Sequence, residues 1–83
     1  MTQFWKQGVR VNVWAVDEQP RRIVWNEQVH PVEDILNQWR TDRGWWRLRV
    51  WRDTFELRTT TGLHLEVYHD LITNRWYVQR WYD

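Results

Sequence analysis

The sequence contains no cysteine and no serine. The absence of cysteine excludes disulfide bonds and thiolate metal sites and is typical of a reducing compartment, so we expect a cytoplasmic protein. Serine and thiol nucleophiles are excluded as well. No glycine-rich loop that would hold a phosphate group is present either. We therefore expect a protein that is not an enzyme, with no catalytic residues and no cofactor.

The chain also lacks a long apolar run. Residues 1–6 have no apolar segment of the kind that signal peptides carry, and no uninterrupted apolar run approaches the ~18 residues of a membrane span. We therefore expect no evident export signal and no contact with a membrane.

Large aromatic side chains are abundant instead. Nine tryptophans, three tyrosines and two phenylalanines occur in 83 residues. A chain this short buries only roughly 60 to 65% of its unfolded surface, and each large ring can bury about 150 to 250 Å². We expect one small domain over residues 9–83, preceded by an N-terminal arm over residues 1–8, with most tryptophans in or beside the core.

The net charge of +1 is too small to indicate a polyanionic partner, but the charge is unevenly distributed. Residues 40–58 hold six arginines and three acidic side chains, a local charge of +3, whereas the segments on either side each carry −1. This middle region is therefore a mild basic zone.

Apolar and polar side chains alternate with a period of two along most of the chain, which predicts β-strands. The predicted strands are 9–16, 21–26, 28–30, 45–52, 54–59, 63–68 and 75–82, and the predicted turns are 17–20, 26–27, 42–44, 60–62 and 70–74. We expect a mostly β fold, a small antiparallel meander sheet or barrel of about six strands.

Residues 32–39 follow a different pattern. Their apolar side chains match the i, i+3, i+4, i+7 spacing of an amphipathic helix: Val32, Ile35, Leu36 and Trp39. Pro31 suits the first turn of such a helix. A segment this short is near the limit at which helix and strand can be told apart, so a bent strand continuing from Val29 fits as well. Both interpretations remain open.

The densest group of tryptophans and arginines lies in residues 39–53. As a strand that follows a turn at 42–44, residues 45–51 put two rings and two guanidinium groups on one face: Trp45, Arg47, Arg49 and Trp51. The opposite face is apolar and is expected in the core: Trp46, Leu48 and Val50. Sheet faces that combine rings with cations can stack unpaired bases and bind the phosphates between them. This face is a candidate for contact with single-stranded or distorted nucleic acid.

Two other roles fit the same face. Its arginines can lie over the tryptophan rings and pair with Glu56 or Glu66 of neighbouring strands, giving a surface that binds nothing. Alternatively, the face can contact another protein or a second copy of the chain, because the aromatic surface exceeds what one small core can hide. Nucleic acid, a protein partner and a homo-oligomer all remain open.

Histidine and acidic residues do not form a clear metal or acid–base site. His64 and Glu66 share one strand face, but a catalytic zinc needs three protein ligands and His30 is distant in the sequence. We expect solvated polar side chains and no bound metal. Glu33 and Asp34 lie on opposite faces of a strand or near the start of a helix, so they do not support paired acid–base catalysis.

A set of motifs is spread over the chain from about Val9 to the C-terminus. They are 20–25 (PRRIVW), 32–40 (VEDILNQWR), Trp45-Trp46, 52–55 (RDTF), 62–68 (GLHLEVY), Asp70, 76–78 (WYV) and Tyr82-Asp83. Together they resemble a bacterial family of small tryptophan-rich proteins known as a domain of unknown function. The spacing of Trp39, Trp45-Trp46, Phe55 and Trp76 carries most of the likeness.

The later half of the chain, from Gly44 to Trp76, is also similar to the C-terminal tail of the polymerase-like subunit of a bacterial SOS mutagenesis complex. That tail is an interaction region in a DNA-damage system, and the N-terminal half of the present chain differs from it. The likeness implies an adaptor or a nucleic-acid contact in DNA repair and no catalysis. It transfers no functional residues.

Overall fold

The computed structural model describes residues 2–45 and 48–82 and shows an all-β protein. Six strands follow one another: β1 (Gln3–Val16), β2 (Gln19–Trp25), β3 (Gln28–Trp45), β4 (Leu48–Thr59), β5 (His64–Asp70) and β6 (Arg75–Tyr82). Each strand pairs antiparallel with the next, and β6 pairs back onto β1, so the sheet closes into a barrel. The predicted small antiparallel barrel is confirmed.

Short turns join strands at positions that the sequence predicts. The β1–β2 turn consists of Asp17 and Glu18, the β2–β3 turn of Asn26 and Glu27, and all four residues have φ angles between 51° and 65°. Positive φ at both central residues defines the type I′ hairpin turn, whose twist matches that of the strands it joins. The later turns occupy residues 60–62 and 71–74.

The N-terminal segment, expected as an arm, belongs to β1 from Gln3 onward. Gln3 pairs with Trp81 of β6, and after an irregular stretch the ladder resumes at Val9. Gly8 lies in this stretch with a φ of 78°, and a Cβ atom added to it would come within 2.8 Å of Tyr77 Cβ. The close approach of β1 to β6 therefore requires glycine at this position.

β3 is one bent strand through residues 32–39, and the short helix considered for this segment is not formed. The ladder between β3 and β4 contains two irregularities, after Val32 and after Ile35. At each of them β3 carries one more residue than β4, first Glu33 and then Leu36. These are β-bulges, which bend a strand and increase its twist.

The two bulges explain why this strand has the sequence pattern of a helix. Because each inserts one residue, the side chains that face the barrel interior are three residues apart instead of two. Val32 and Ile35 both pack against the core, whereas Leu36 is 44% exposed and Trp39 is 39% exposed. The helical interpretation is wrong because bulges reproduce part of a helical period.

The core lies inside the barrel and is mostly apolar. Its largest fully buried apolar side chains are Phe55, Ile23, Leu57, Leu65, Val67 and Val78. Phe55 stacks on Trp76 with ring centroids 5.7 Å apart, and Trp5 packs edge-on against Trp25 at 5.8 Å. Tryptophan rings thus extend the aliphatic core of this short chain.

A chain of hydrogen bonds ties the start of β3 to the turn between β4 and β5. His30 Nε2 lies 3.2 Å from the carbonyl of Trp25, which can only accept, so Nε2 carries the proton. In the neutral ring Nδ1 then accepts from the Thr61 hydroxyl at 2.6 Å, which leaves Thr61 to accept from the Thr59 hydroxyl at 2.8 Å. Thr59 in turn accepts from the backbone N–H of Leu63. This buried histidine has a structural role.

β3 and β4 continue past the barrel as a two-stranded ribbon, defined here as residues 42–45 and 48–51. In the described chain these segments pair with each other and with no other strand. The ladder of β3 with β2 ends at Pro31, and that of β4 with β5 starts at Arg52. The described part of the ribbon therefore has no neighbouring strand, and at its base the Leu71 N–H of the β5–β6 turn donates to the Trp51 carbonyl at 2.9 Å.

Some expectations for this part of the chain are wrong. Residues 42–44, predicted as a turn, lie within β3, and residues 52–53 do not interrupt β4. Val50, predicted in the core, is exposed because alternation along β4 puts it on the outward face with Arg52 and Arg58, opposite the face that carries Phe55 and Leu57 into the core. Trp46 and the side chain of Leu48, placed in the core by the same reasoning, lie outside the described part of the molecule.

Candidate functional site

The ribbon has two faces, set by the ladder between β3 and β4. Residues directly opposite each other in an antiparallel ladder project to the same face, and successive pairs alternate between faces. One face, called the Arg49 face, carries Asp42 opposite Trp51 and Gly44 opposite Arg49. The other, called the Arg43 face, carries Arg43 opposite Val50.

On the Arg49 face a cation, a ring and a carboxylate contact one another. The guanidinium carbon of Arg49 lies 4.7 Å from the centroid of the Trp51 ring. Arg49 Nε and Nη2 each lie 3.4 Å from an oxygen of the Asp42 carboxylate. Both charged side chains are about half exposed, and an exposed ion pair of this kind contributes only about 0 to 1 kcal/mol. Arg49 is therefore held loosely over the ring.

At the base of the same face, a second arginine–carboxylate pair is shorter. Arg40 Nε donates to Asp53 Oδ1 at 2.6 Å, and Nη2 donates to Oδ2 at 2.9 Å. The Asp53 carboxylate is buried, whereas about half of the Arg40 side chain is exposed. Hydrogen bonding to Asp53, together with its negative charge, raises the pKa of the Arg40 guanidinium above its usual value. This bidentate pair joins β3 to β4 where the ribbon leaves the barrel.

The Arg43 face combines an exposed cation with exposed apolar surface. Val50 and Trp39, which lies two pairs nearer the barrel on this face, are each 39% exposed. Between them, the guanidinium carbon of Arg52 lies 4.4 Å from the centroid of the Tyr68 ring. Among the described residues, no carboxylate oxygen lies within 4.0 Å of an Arg43 nitrogen. Arg43 is thus available to an anion.

The structure separates the residues that the sequence places on one face. Arg49 and Trp51 do lie together on β4. Trp45 ends β3, opposite Leu48, and so belongs to a different strand. Arg47 lies outside the described residues. Alternation along one strand cannot predict which of these residues share a face, because β3 ends at Trp45 and β4 begins at Leu48.

Sequence reasoning missed three contributors to the ribbon and its base. The turn prediction at 42–44 hides Asp42 and Arg43, and the helical pattern hides Trp39. The signal that identifies the strand is the period-two series Trp39, Thr41, Arg43 and Trp45, which continues across the predicted turn.

Two pairs of oppositely charged or titratable side chains lie elsewhere on the barrel. His64 Nε2 lies 2.7 Å from Glu56 Oε2, and Arg80 Nε lies 3.6 Å from Glu66 Oε2. Glu56 and Glu66, expected as partners of the arginines of residues 45–51, thus pair with His64 and Arg80, while Arg49 pairs with Asp42 of its own ribbon. Where the structure describes the chain, no three histidine, aspartate or glutamate side chains come together to hold a metal ion.

No protein-family model, curated protein or solved structure matches this chain. The likeness to a bacterial domain of unknown function and to the SOS mutagenesis tail therefore stays a prediction. The described residues also form no helix long and apolar enough to cross a membrane.

Proposed function

We propose that this protein is a binding module that contacts single-stranded nucleic acid through its ribbon. The observation that carries the proposal is a projecting pair of strands with Arg49 over Trp51 on one face and Arg43 exposed on the other. Projecting β-ribbons are among the elements with which proteins contact nucleic acid. The closed barrel supplies the rigid base that such an element needs.

The ribbon supplies charge suited to a phosphate backbone. The zone 40–58, which contains the ribbon, has a net charge of +3. Arg43 has no carboxylate neighbour among the described residues, and Arg49 holds Asp42 only at 3.4 Å. Since an exposed ion pair contributes about 0 to 1 kcal/mol, a phosphate can replace Asp42 as the partner of Arg49 at little cost.

The same exchange changes the surroundings of the Trp51 ring. In the free protein the Arg49 guanidinium covers one face of this half-buried ring. When Arg49 turns toward a phosphate, that ring face becomes available to a base, and stacking of a base on an aromatic side chain contributes about 1 to 3 kcal/mol. Such a contact tolerates any sequence, because every base has a π face.

Fluorescence anisotropy with a labelled oligothymidine of about 12 nucleotides tests this function. We expect an affinity on the order of micromolar at about 50 mM salt and roughly tenfold weaker binding at about 200 mM, because phosphate contacts release counterions. Arg49→Gln should lower the slope of log affinity against log salt by about 0.7. Trp51→Leu should weaken binding and leave that slope unchanged, because the ring makes no ionic contact.

Arg58→Gln is the matched control, because Arg58 is an exposed arginine of the same basic zone that lies on the barrel, opposite His64. An equal loss of affinity in Arg58→Gln and Arg49→Gln would show that only the net charge matters. It would contradict a role of the ribbon in binding. No binding at about 100 µM protein in low salt, the weak limit of non-specific association, would contradict the function itself.

The other role open from the sequence, contact with a protein partner or a second copy, stays a prediction, as does a setting in DNA repair. Sedimentation velocity without nucleic acid separates these roles. A monomer that binds oligothymidine supports the module proposed here. A stable dimer that ignores oligothymidine favours the interaction role instead.

A further inference from the structure

A second surface lies on the outer side of the sheet formed by β1, β2 and the start of β3. Here Trp14 lies opposite Arg22, and Val24 lies opposite Val29. Trp14 is 66% exposed, Val29 58%, Val16 47% and Val24 37%. These five side chains, from three strands, form what we call the Trp14 face.

The Trp14 face departs from the usual division of a half-buried antiparallel sheet, in which one side packs on the core and the other is polar. The inner side is apolar as expected, with Val13, Ile23 and Trp25 in or against the core. The outer side is apolar too, and Trp14 is the most exposed large apolar side chain of the described residues. Contiguous exposed apolar side chains typically mark a binding site.

The Trp14 face is shaped as a groove of about 550 Å³. The apolar side chains of Trp14, Val24 and Val29 line it, and Val13 and Ala15 border it while their side chains pack toward the core. Sites for small molecules typically enclose roughly 300 to 1,000 Å³ and have a mostly apolar lining with a few polar groups that orient the ligand. The groove has the volume and the lining of such a site.

Two polar side chains, Asn12 and Arg22, complete the lining. The Arg22 guanidinium carbon lies 5.4 Å from the centroid of the Trp14 ring. No carboxylate oxygen of the described residues lies within 4.0 Å of an Arg22 nitrogen. The acidic residues of this region, among them Asp17 and Glu27, occupy the turns and not the strand face. The groove therefore presents a cation beside an aromatic ring, with no acidic side chain in its lining.

We propose that the Trp14 face binds a small apolar carboxylate, with its apolar body against Trp14 and Val24 and its carboxylate on Arg22. A guanidinium group can bind both oxygens of a carboxylate while it remains beside an aromatic ring. The groove volume of about 550 Å³ lies within the range of small-molecule sites, and the single cation in its lining, Arg22, matches one carboxylate.

NMR titration of the isotope-labelled protein with naphthylacetate, and separately with the neutral naphthylacetamide, tests this proposal. Shifts should be confined to the outer side of β1–β2–β3 and should be largest at Trp14, Val24 and Val29. The amide should bind about tenfold more weakly than the acid, the lower end of what a hydrogen bond to a charged group contributes.

Variants separate the contribution of the Arg22 cation to ligand binding from that of the apolar surface. Arg22→Gln should weaken binding of the acid about tenfold, to the affinity of the amide, and leave the amide unaffected. Trp14→Ala should weaken both ligands, and an otherwise unchanged spectrum would show that the barrel is intact. Arg21→Gln is the control, because Arg21 is exposed, lies outside the groove and carries the same charge.

Equal affinities for acid and amide would overturn the proposal, as would an equal loss in Arg21→Gln and Arg22→Gln. Shifts at Trp14 that depend on protein concentration without ligand would show that a second copy covers the face, and would overturn it too. The titration involves no nucleic acid and no ribbon residue. Its result is therefore independent of the function proposed for the ribbon.

Discussion

The barrel and the ribbon share β3 and β4 but differ in how much of these strands is exposed to solvent. In the barrel, β4 places Phe55 and Leu57 in a fully buried core, whereas in the ribbon the same strand places Arg49 and Val50 in solvent. The difference arises because β4 has β5 beside it in the barrel, while in the described ribbon its only paired strand is β3. A two-stranded ribbon by itself is marginally stable in water, so it depends on the barrel for its shape.

This difference separates the side chains that hold the fold together from those proposed to bind. Side chains of the barrel interior hold the fold together by packing, and side chains of the ribbon contribute little to the free energy of unfolding. The ribbon can therefore expose rings and cations that a core would exclude. Matched substitutions, one in each region, test how far the separation holds.

The largest contrast is expected between two valines. Val67→Ala removes two methyl groups from a fully buried site and should lower the free energy of unfolding by about 2 to 3 kcal/mol. Val50→Ala, on the exposed ribbon, should change it by less than about 0.5 kcal/mol. Urea denaturation measures both. Similar losses would mean that the ribbon folds back onto an apolar surface.

Replacing two glycines by alanine should change stability in opposite directions. Gly8 has a φ of 78°, and an added Cβ would lie 2.8 Å from Tyr77 Cβ and 3.1 Å from Tyr68 Cε2, so Gly8→Ala should cost about 1 to 3 kcal/mol. Gly44 meets nothing within 4 Å, and Gly44→Ala should stabilise the strand by up to about 1 kcal/mol. Thermal melts give both values. A destabilised Gly44→Ala would contradict an open ribbon.

Two aspartates give a matched pair of substitutions, Asp53 where the ribbon leaves the barrel and Asp42 within the ribbon. Asp53→Asn replaces a buried carboxylate that accepts two short hydrogen bonds and should cost about 1 to 2 kcal/mol. Asp42→Asn affects an exposed pair at 3.4 Å and should cost about 0 to 1 kcal/mol. The urea midpoints decide the order. Asp42→Asn should also tighten oligothymidine binding, since it removes a negative charge and frees Arg49.

The smallest effect comes from the titration of Tyr68, which should not change stability at neutral pH. Burial raises the pKa of its hydroxyl above the usual value of 10.0. The unfolded chain therefore loses this proton first, so stability should fall as the pH rises above about 10 and through the folded-state pKa. Burial raises the pKa of Tyr82 as well, which acts in the same direction.

The Tyr68→Phe variant isolates this contribution, which unfolding at a series of alkaline pH values measures. It should flatten part of the decline and, because Tyr68 donates a hydrogen bond to the carbonyl of Gln7 at 2.9 Å, cost a little stability at every pH. Stability that stays constant well above the pKa of free tyrosine would show that Tyr68 is solvated. The ribbon contains no tyrosine.

The fold is predictable wherever local chemistry and alternation agree. Asn26 tolerates the positive φ that a type I′ turn requires, and period-two alternation on both sides identifies the hairpin. The bend in β3 is not predictable in this way. Glu33 and Leu36 lie in bulges because the sheet has to curve until β6 meets β1, and closure between distant strands leaves no local signal.

The candidate site is likewise predictable only where a local sequence pattern determines it. Arg49 and Trp51 are two residues apart on one strand, so alternation alone places them together. Asp42 joins them through the register between β3 and β4, and the turn predicted at 42–44 hides that register because residues 42–44 lie within β3. The groove at Trp14 was beyond sequence reasoning, since exposure of an alternating apolar residue depends on what the rest of the chain leaves uncovered.

Glu33 and Leu36 are spacers that set the direction in which the ribbon leaves the barrel. Because each is an extra residue in the ladder, deleting one leaves the pairing of Asn37 with Glu56 intact and removes a bend. The ribbon would keep both of its faces and point elsewhere. Over evolutionary time, substitutions in the ribbon would change what it touches, and single-residue insertions or deletions at the bulges would change where it reaches.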